Sequence, residues 1–90
     1  MPYVTQDRKA LLDPQIGPLV DALKSLPFKD GDVNYTLTKI VDALYGKGGY
    51  TAYNAALGVL DAAAREFYRR RVAPYEDLKI AENGEVYLSL

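Results

Sequence analysis

Residues 61–75 read DAAAREFYRRRVAPY, and this stretch decides most of what the chain can build. It holds four of the five arginines, and Pro74, next to its last residue, is the only proline in the second half of the sequence. The alanines at its start are strong helix formers with small side chains, so another helix can approach closely there. The stretch therefore predicts a helix that packs tightly at one end and presents positive charge and aromatic rings at the other.

The length indicates a single domain, residues 1–90. The composition lacks several of the side chains that enzymes most often use for catalysis. The sequence contains neither Cys nor His, which removes the thiolate nucleophile, the commonest general base and the commonest metal ligands. We therefore expect a non-catalytic protein with no cofactor and no metal. The net charge of −1 predicts no bulk attraction to nucleic acid or to a membrane surface. No apolar run is long enough to span a membrane, and the N-terminus lacks a signal-peptide pattern, which favours a cytoplasmic location.

The apolar periodicity predicts a mainly α fold, a small domain of three to four helices. Asp13 followed by Pro14 is typical of a helix start, and Asp32 is a second N-cap candidate. We expect the first helix over Pro14 to Leu26, the second over Val33 to Tyr45, and the third from about Thr51. The glycine-rich connector GKGG, residues 46–49, lacks the flanking residues of a phosphate-binding P-loop and is expected to be a flexible link.

Pro74 lies in the path of the long third helix. Proline removes one helical hydrogen bond and clashes with the preceding turn, so we expect the helix to be kinked or broken at Ala73 and Pro74. A fourth helix would then run to about Glu82. The alternating residues 85–90, EVYLSL, predict a short strand that could pair with Tyr3 and Val4 in a two-stranded β element joining the termini.

The third helix carries apolar side chains on two of its faces. Ninety residues supply few other helices to cover both of them, and small chains are often stabilised by association. We therefore expect the protein to be its own partner in a homo-oligomer.

The arginine and tyrosine cluster is the candidate binding site. Guanidinium groups grip phosphate or carboxylate, and tyrosine rings stack on bases, so the cluster suits a phosphate-bearing small molecule. A salt-bridged, solvated helix face, with Asp61 pairing with Arg65 and Glu66 with Arg70, is the plainer alternative. The candidate ligand-binding residues are Arg65, Tyr68, Arg69, Arg71, Tyr75 and Tyr35.

Three segments resemble a family of small proteins, without assigned activity, that occur in prokaryotes and tailed phages. They are the opening MPY, residues 31–40 (GDVNYTLTKI) and residues 66–87 (EFYRRRVAPYEDLKIAENGEVY). The resemblance covers nearly the whole chain. It implies a small helical protein, plausibly phage-associated, and carries over no catalytic residues.

Two functional hypotheses follow. In the first, the protein is a non-catalytic oligomer that sequesters an anionic, nucleotide-derived signal molecule, as a phage anti-defence protein would. In the second, it is a protein-interaction adaptor or inhibitor that docks its arginine and tyrosine face on an acidic partner. Stabilisation by a small ligand would distinguish the first hypothesis from the second.

Overall fold

A computed structural model describes residues 1–27 and 29–87, and 83% of the structure is helical. The mainly α prediction is therefore confirmed. The elements in chain order are α1 (Gln6–Lys24), α2 (Lys29–Tyr45), α3 (Gly49–Phe67), a π-helical turn (Tyr68–Val72) and α4 (Ala73–Asn83).

The chain divides into two units, and α3 contributes to both of them. The N-terminal unit comprises Pro2–Ala56, and the C-terminal unit runs from Leu57 onward and includes Met1. The expectation of a single domain over residues 1–90 stays a prediction.

Helix α1 begins eight residues earlier than predicted, at Gln6 instead of Pro14. Thr5 occupies the N-cap position, and its hydroxyl donates a hydrogen bond to the Asp7 carboxylate in the first turn. This bond is the main cause of the lowered pKa of Asp7. Pro14 and Pro18 both lie inside the helix. Each removes only a single donor, and the helix continues through both positions, so the Asp13 and Pro14 pair was a misleading start signal.

Helix α2 also begins earlier than predicted, at Lys29 instead of Val33. Asp32 therefore lies in the first turn and is not the N-cap residue. Its carboxylate is still favourably placed, because acidic side chains near a helix N-terminus interact well with the helix dipole. The backbone carbonyl of Asp32 accepts a 2.8 Å hydrogen bond from the Thr36 hydroxyl. Helices α1 and α2 contact each other within the N-terminal unit.

The connector between α2 and α3 is a tight turn that requires glycine. Gly46 donates its N–H to the Asp42 carbonyl at 2.8 Å, and a Cβ at Gly46 would collide with that same carbonyl. Gly49 has a φ of 74°, in the left-handed region that glycine adopts readily. The Tyr53 hydroxyl donates a 3.1 Å hydrogen bond to the Gly46 carbonyl and ties the turn to α3. Helix α3 starts directly after this turn, at Gly49, two residues before the predicted Thr51.

The helix does not break at Pro74. The path continues from α3 through the π turn into α4, and the Ala73 N–H donates to the Tyr68 carbonyl five residues back. Pro74 lies in the first turn of α4, where its missing N–H costs little. A π turn is one of the features at which helices kink, so a kink here is consistent with the observed irregularity.

No strand forms among residues 1–27 and 29–87, so the predicted β element is not seen. Helix α4 ends before Gly84, whose φ of 92° turns the chain away. The Glu85 carboxylate then accepts hydrogen bonds from the N–H groups of Val86 and Tyr87. In a β-strand such backbone N–H groups would donate to a neighbouring strand, whereas here they donate to the side chain of Glu85. Residues 88–90 of the predicted strand lie outside the described residues.

Burial is scarce in the described chain. Ala56 is its one buried residue, with 6% of its surface exposed, whereas Leu57 in the next position is 65% exposed. The two apolar faces predicted for the third helix therefore remain open to solvent over most of their length.

Candidate functional site

The π turn is the structural centre of the candidate site. Its sequence is YRRRV, so it presents three consecutive arginines on one exposed helical segment. In an α-helix the nitrogen of Pro74 would have to bond to the carbonyl of Arg70, which is impossible without an N–H. The wider i→i+5 turn accommodates this missing donor. Single π turns inside α-helices occur frequently at functional sites.

Two of the predicted arginines are engaged by carboxylates of the same helix. Arg65 donates to Asp61 at 2.7 Å, as the spacing predicted, and both side chains are largely exposed. Arg69 donates to Glu66 at 2.9 Å. The predicted pair of Glu66 with Arg70 is therefore wrong. Because residues three and four apart are both neighbours on a helix, the spacing alone could not choose between Arg69 and Arg70.

Arg70 and Arg71 have no ion pair or hydrogen-bond partner for their side chains among the described residues. Both are exposed. Arg70 is the one arginine of residues 65–71 that is absent from the predicted candidate site. These two guanidinium groups are the ones that remain available to an anion.

Each of the two predicted tyrosines of this unit interacts with a charged side chain of α4. The pKa of Tyr68 is raised, mainly by a hydrogen bond with the Glu76 carboxylate and next by the negative charge of that carboxylate. The Lys79 ammonium lies 5.5 Å from the centre of the Tyr75 ring, within the range of a cation–π interaction. Both rings are half exposed, so their faces are accessible for stacking.

Tyr35 lies in the N-terminal unit, on α2, where the Lys39 ammonium is 5.7 Å from the centre of its ring. It lines a shallow depression together with Asp30, Asn34 and Thr38. The carboxylate of Asp30 makes this depression a poor place for a phosphate. The structure therefore brings Arg65, Tyr68, Arg69, Arg71 and Tyr75 onto one helical path and places Tyr35 on another helix.

A hollow of about 330 Å³ lies at the end of the C-terminal unit. Its wall includes the carboxylates of Glu76 and Glu85 and the apolar side chains of Ile80 and Val86, and none of its lining residues is an arginine. Within the described chain, no group of Asp or Glu residues is arranged to hold a metal ion. Likewise, none of the described helices is both long enough and apolar enough to cross a membrane.

No curated protein and no solved structure matches the sequence. A family model does match, and it covers residues 1–86. The match includes the segments on which the sequence resemblance rested except for Tyr87 at the end of the third, and the family's description assigns no function. The chain thus belongs to the family described as Domain of unknown function (DUF6899).

Proposed function

We propose that the protein is a non-catalytic, oligomeric binding protein that holds a phosphate-bearing small molecule at its π turn. The observation that carries the proposal is the pair of unpaired, exposed arginines, Arg70 and Arg71, in a chain whose net charge is −1. An exposed arginine without a carboxylate partner is available for a charge-assisted, bidentate hydrogen bond to phosphate oxygens. The half-exposed rings of Tyr68 and Tyr75 offer stacking surfaces near the same segment.

The non-catalytic part of the proposal rests on the amino-acid inventory. Without His or Cys, the chain lacks the groups that most often attack or deprotonate a phosphate-bearing ligand near neutral pH. Binding without turnover is then the economical use of an arginine cluster. Sequestration of a nucleotide-derived signal in the cytoplasm of an infected host is the biological setting that the phage-like sequence resemblance suggests.

A protein-interaction role is the second candidate. Small-molecule sites are usually concave and enclose most of the ligand, whereas the π turn lies on an exposed helix. Phe67, directly before it, is 64% exposed. Exposed apolar side chains next to arginines are typical of the centre of a protein interface, so an acidic protein partner would fit the same surface.

Ligand binding can be tested by thermal shift and calorimetry with a panel of linear and cyclic nucleotides and ADP-ribose derivatives. Arg71→Ala should weaken binding by about 1.5–3 kcal/mol, or roughly ten- to more than a hundredfold, because one charged hydrogen bond is lost. Arg8→Ala is the matched control, since it makes the same substitution on α1 in the other unit. The bound ligand should be recovered chemically unchanged by chromatography.

Three results would count against this proposal. Absence of binding at millimolar ligand would favour the acidic protein partner. Equal losses for Arg71→Ala and Arg8→Ala would place the ligand away from the π turn. A ligand recovered in altered form would mean that the protein is an enzyme.

A further inference from the structure

The C-terminal unit carries its charges in two opposite blocks. Residues 65–71 contain four arginines and one glutamate, which gives a formal charge of +3. Residues 76–83, the part of α4 that follows Tyr75, contain three carboxylates and one lysine, which gives −2. The two blocks follow each other along the same helical path, one on each side of Pro74. The helix is therefore electrically polar along its length, with its midpoint near residue 74.

The charged groups that lack partners show the same arrangement. Glu76 raises the pKa of Tyr68, and Glu82 pairs with Lys79 at 3.1 Å. In contrast, Asp77 has no ion pair or side-chain hydrogen bond within the described part of the chain, as is also true of Arg70 and Arg71. The unpaired cations and the unpaired anion lie about seven residues apart, or roughly 10 Å along a helix. A side chain cannot bridge that distance within its own helix, but a second helix running in the opposite direction could satisfy both.

The C-terminal unit also exposes apolar side chains that a partner could bury. Three large apolar side chains between residues 65 and 83 are each between 40% and 64% exposed: Phe67, Leu78 and Ile80. With the two half-exposed tyrosines, they leave on the order of 300–400 Å² of mostly apolar side-chain surface open. A standard specific interface buries about 800 Å² on each partner and has an apolar centre with a polar rim, so this surface can supply the centre and the charged blocks the rim.

We infer that the occupant of this surface is a second copy of the chain, whose C-terminal helix runs antiparallel with the two-fold axis near Pro74. Antiparallel pairing sets the +3 block of each copy against the −2 block of the other, and it brings Arg70 and Arg71 opposite the partner's Asp77. Parallel pairing would instead place like charges together. Around the axis, four arginines would meet two aspartates, which leaves net positive charge for an anion. This inference specifies the self-association within the proposed function and does not depend on a ligand.

Charge exchange provides the first test, with light scattering after size exclusion as the readout. The wild type should have a mass above the 10.0 kDa of one chain. The acidic variant Arg70→Glu/Arg71→Glu and the basic variant Asp77→Lys/Glu82→Lys should each dissociate, and their equimolar mixture should form the oligomer again. The control Arg8→Glu should keep the wild-type mass. Circular dichroism of each variant shows whether the helix is retained.

Cysteine cross-linking provides the second test, because the natural sequence contains no cysteine. A disulfide forms only when the two Cα atoms are within about 7 Å. Near the axis, at least one of three variants should form a disulfide-linked dimer on oxidation: Val72→Cys, Ala73→Cys and Tyr75→Cys. In an antiparallel pair the two copies of residue 62 lie roughly 35 Å apart along the axis. Ala62→Cys, Ala63→Cys and Ala64→Cys should therefore not cross-link to themselves.

The outcomes separate this inference from ligand binding. A wild type that stays at 10.0 kDa at 100 μM would overturn the inference, and so would cross-linking at residues 62–64 or a mixture that fails to reassociate. Each of these results leaves the ligand measurements with Arg71→Ala and Arg8→Ala to be judged separately. Conversely, an antiparallel dimer that binds no phosphate-bearing molecule would support the arrangement and remove the proposed ligand.

Discussion

Replacing Gly58 with alanine should stabilise the protein, whereas the same change at Gly49 in the same helix should destabilise it. Gly58 lies in the middle of α3, its φ is not positive, and no heavy atom other than its chain neighbours and the backbone of its own helix lies within 4 Å of the position that a Cβ would take. Alanine there should contribute about 0.5–1 kcal/mol, because glycine loses more conformational freedom than any other residue when a helix forms.

At Gly49 the same substitution should lower the stability, because of the conformation of the backbone. The space around its Cβ position is equally open, but its φ is 74°. A side chain in the left-handed region costs roughly 1–2 kcal/mol, so Gly49→Ala should weaken folding by about that amount.

Thermal unfolding at one fixed protein concentration would measure both changes. For a chain of this length, 1 kcal/mol corresponds to roughly 4–8 °C in Tm. Gly58→Ala should therefore raise Tm by roughly 2–8 °C, and Gly49→Ala should lower it by at least as much. If Gly58→Ala lowered Tm by several degrees, a second chain would have to contact that glycine closely, and the reasoning from open space would be refuted. A neutral Gly49→Ala would show that the connector does not require its left-handed residue.

Three further changes test other features. Ala62→Arg should leave the mass of the assembly unchanged, because residue 62 lies about 18 Å along the helix from the proposed two-fold axis, beyond the reach of the second copy's α4; a fall to 10.0 kDa by light scattering would contradict this. Glu76→Gln should lower the pKa of Tyr68 toward its ordinary value of 10.0, since the Glu76 carboxylate is the main cause of the raised pKa. Absorbance titration, with Tyr68→Phe to assign the signal, measures this. A raised pKa in the folded protein adds stability below pH 10 that is lost as the pH rises through the folded pKa, so Glu76→Gln should reduce the loss of stability in strong alkali. Gly84→Ala should destabilise the end of α4 by about 1–3 kcal/mol, because φ 92° and ψ 165° lie in a region that is nearly exclusive to glycine; an unchanged Tm would refute this.

The sequence predicted the helical class and the bodies of α2 and α3, because the spacing of apolar residues and the glycine connector are local signals. It did not predict the start of α1. Asp13 and Pro14 form a strong local start signal, but the helix tolerates Pro14 in its interior and begins at Gln6, after Thr5 in the N-cap position. Ion pairs within a helix are also predicted from local spacing. Because both Arg69 and Arg70 have a suitable spacing from Glu66, only the structure could identify Arg69 as its partner.

The π turn could not be predicted from the sequence for a different reason. Proline in a helical pattern predicts an interruption, but it does not say whether the chain turns away or widens by one residue. In the structure the helix widens into a π turn at residues 68–72 and then continues as α4. The β element was predicted from alternation in a tail whose Glu85 satisfies its own backbone donors, which is a competing local interaction that alternation does not show.

The π turn also sets the rotational phase between α3 and α4. One residue of an α-helix advances the side chains by about 100° around the axis, so a turn that holds one extra residue offsets every later side chain by a comparable angle. Deletion of one arginine from residues 69–71 would convert the segment to an ordinary α-turn and keep the side chains of α4 in their present phase, because the deleted residue is the extra one. A substitution of Pro74 that restored the α-helical hydrogen bond without a deletion would instead rotate the side chains of α4 against those of α3 by about 100°. The phase between the two helices is therefore tied to the missing N–H of Pro74, whereas the charge of the segment is set by the number of arginines.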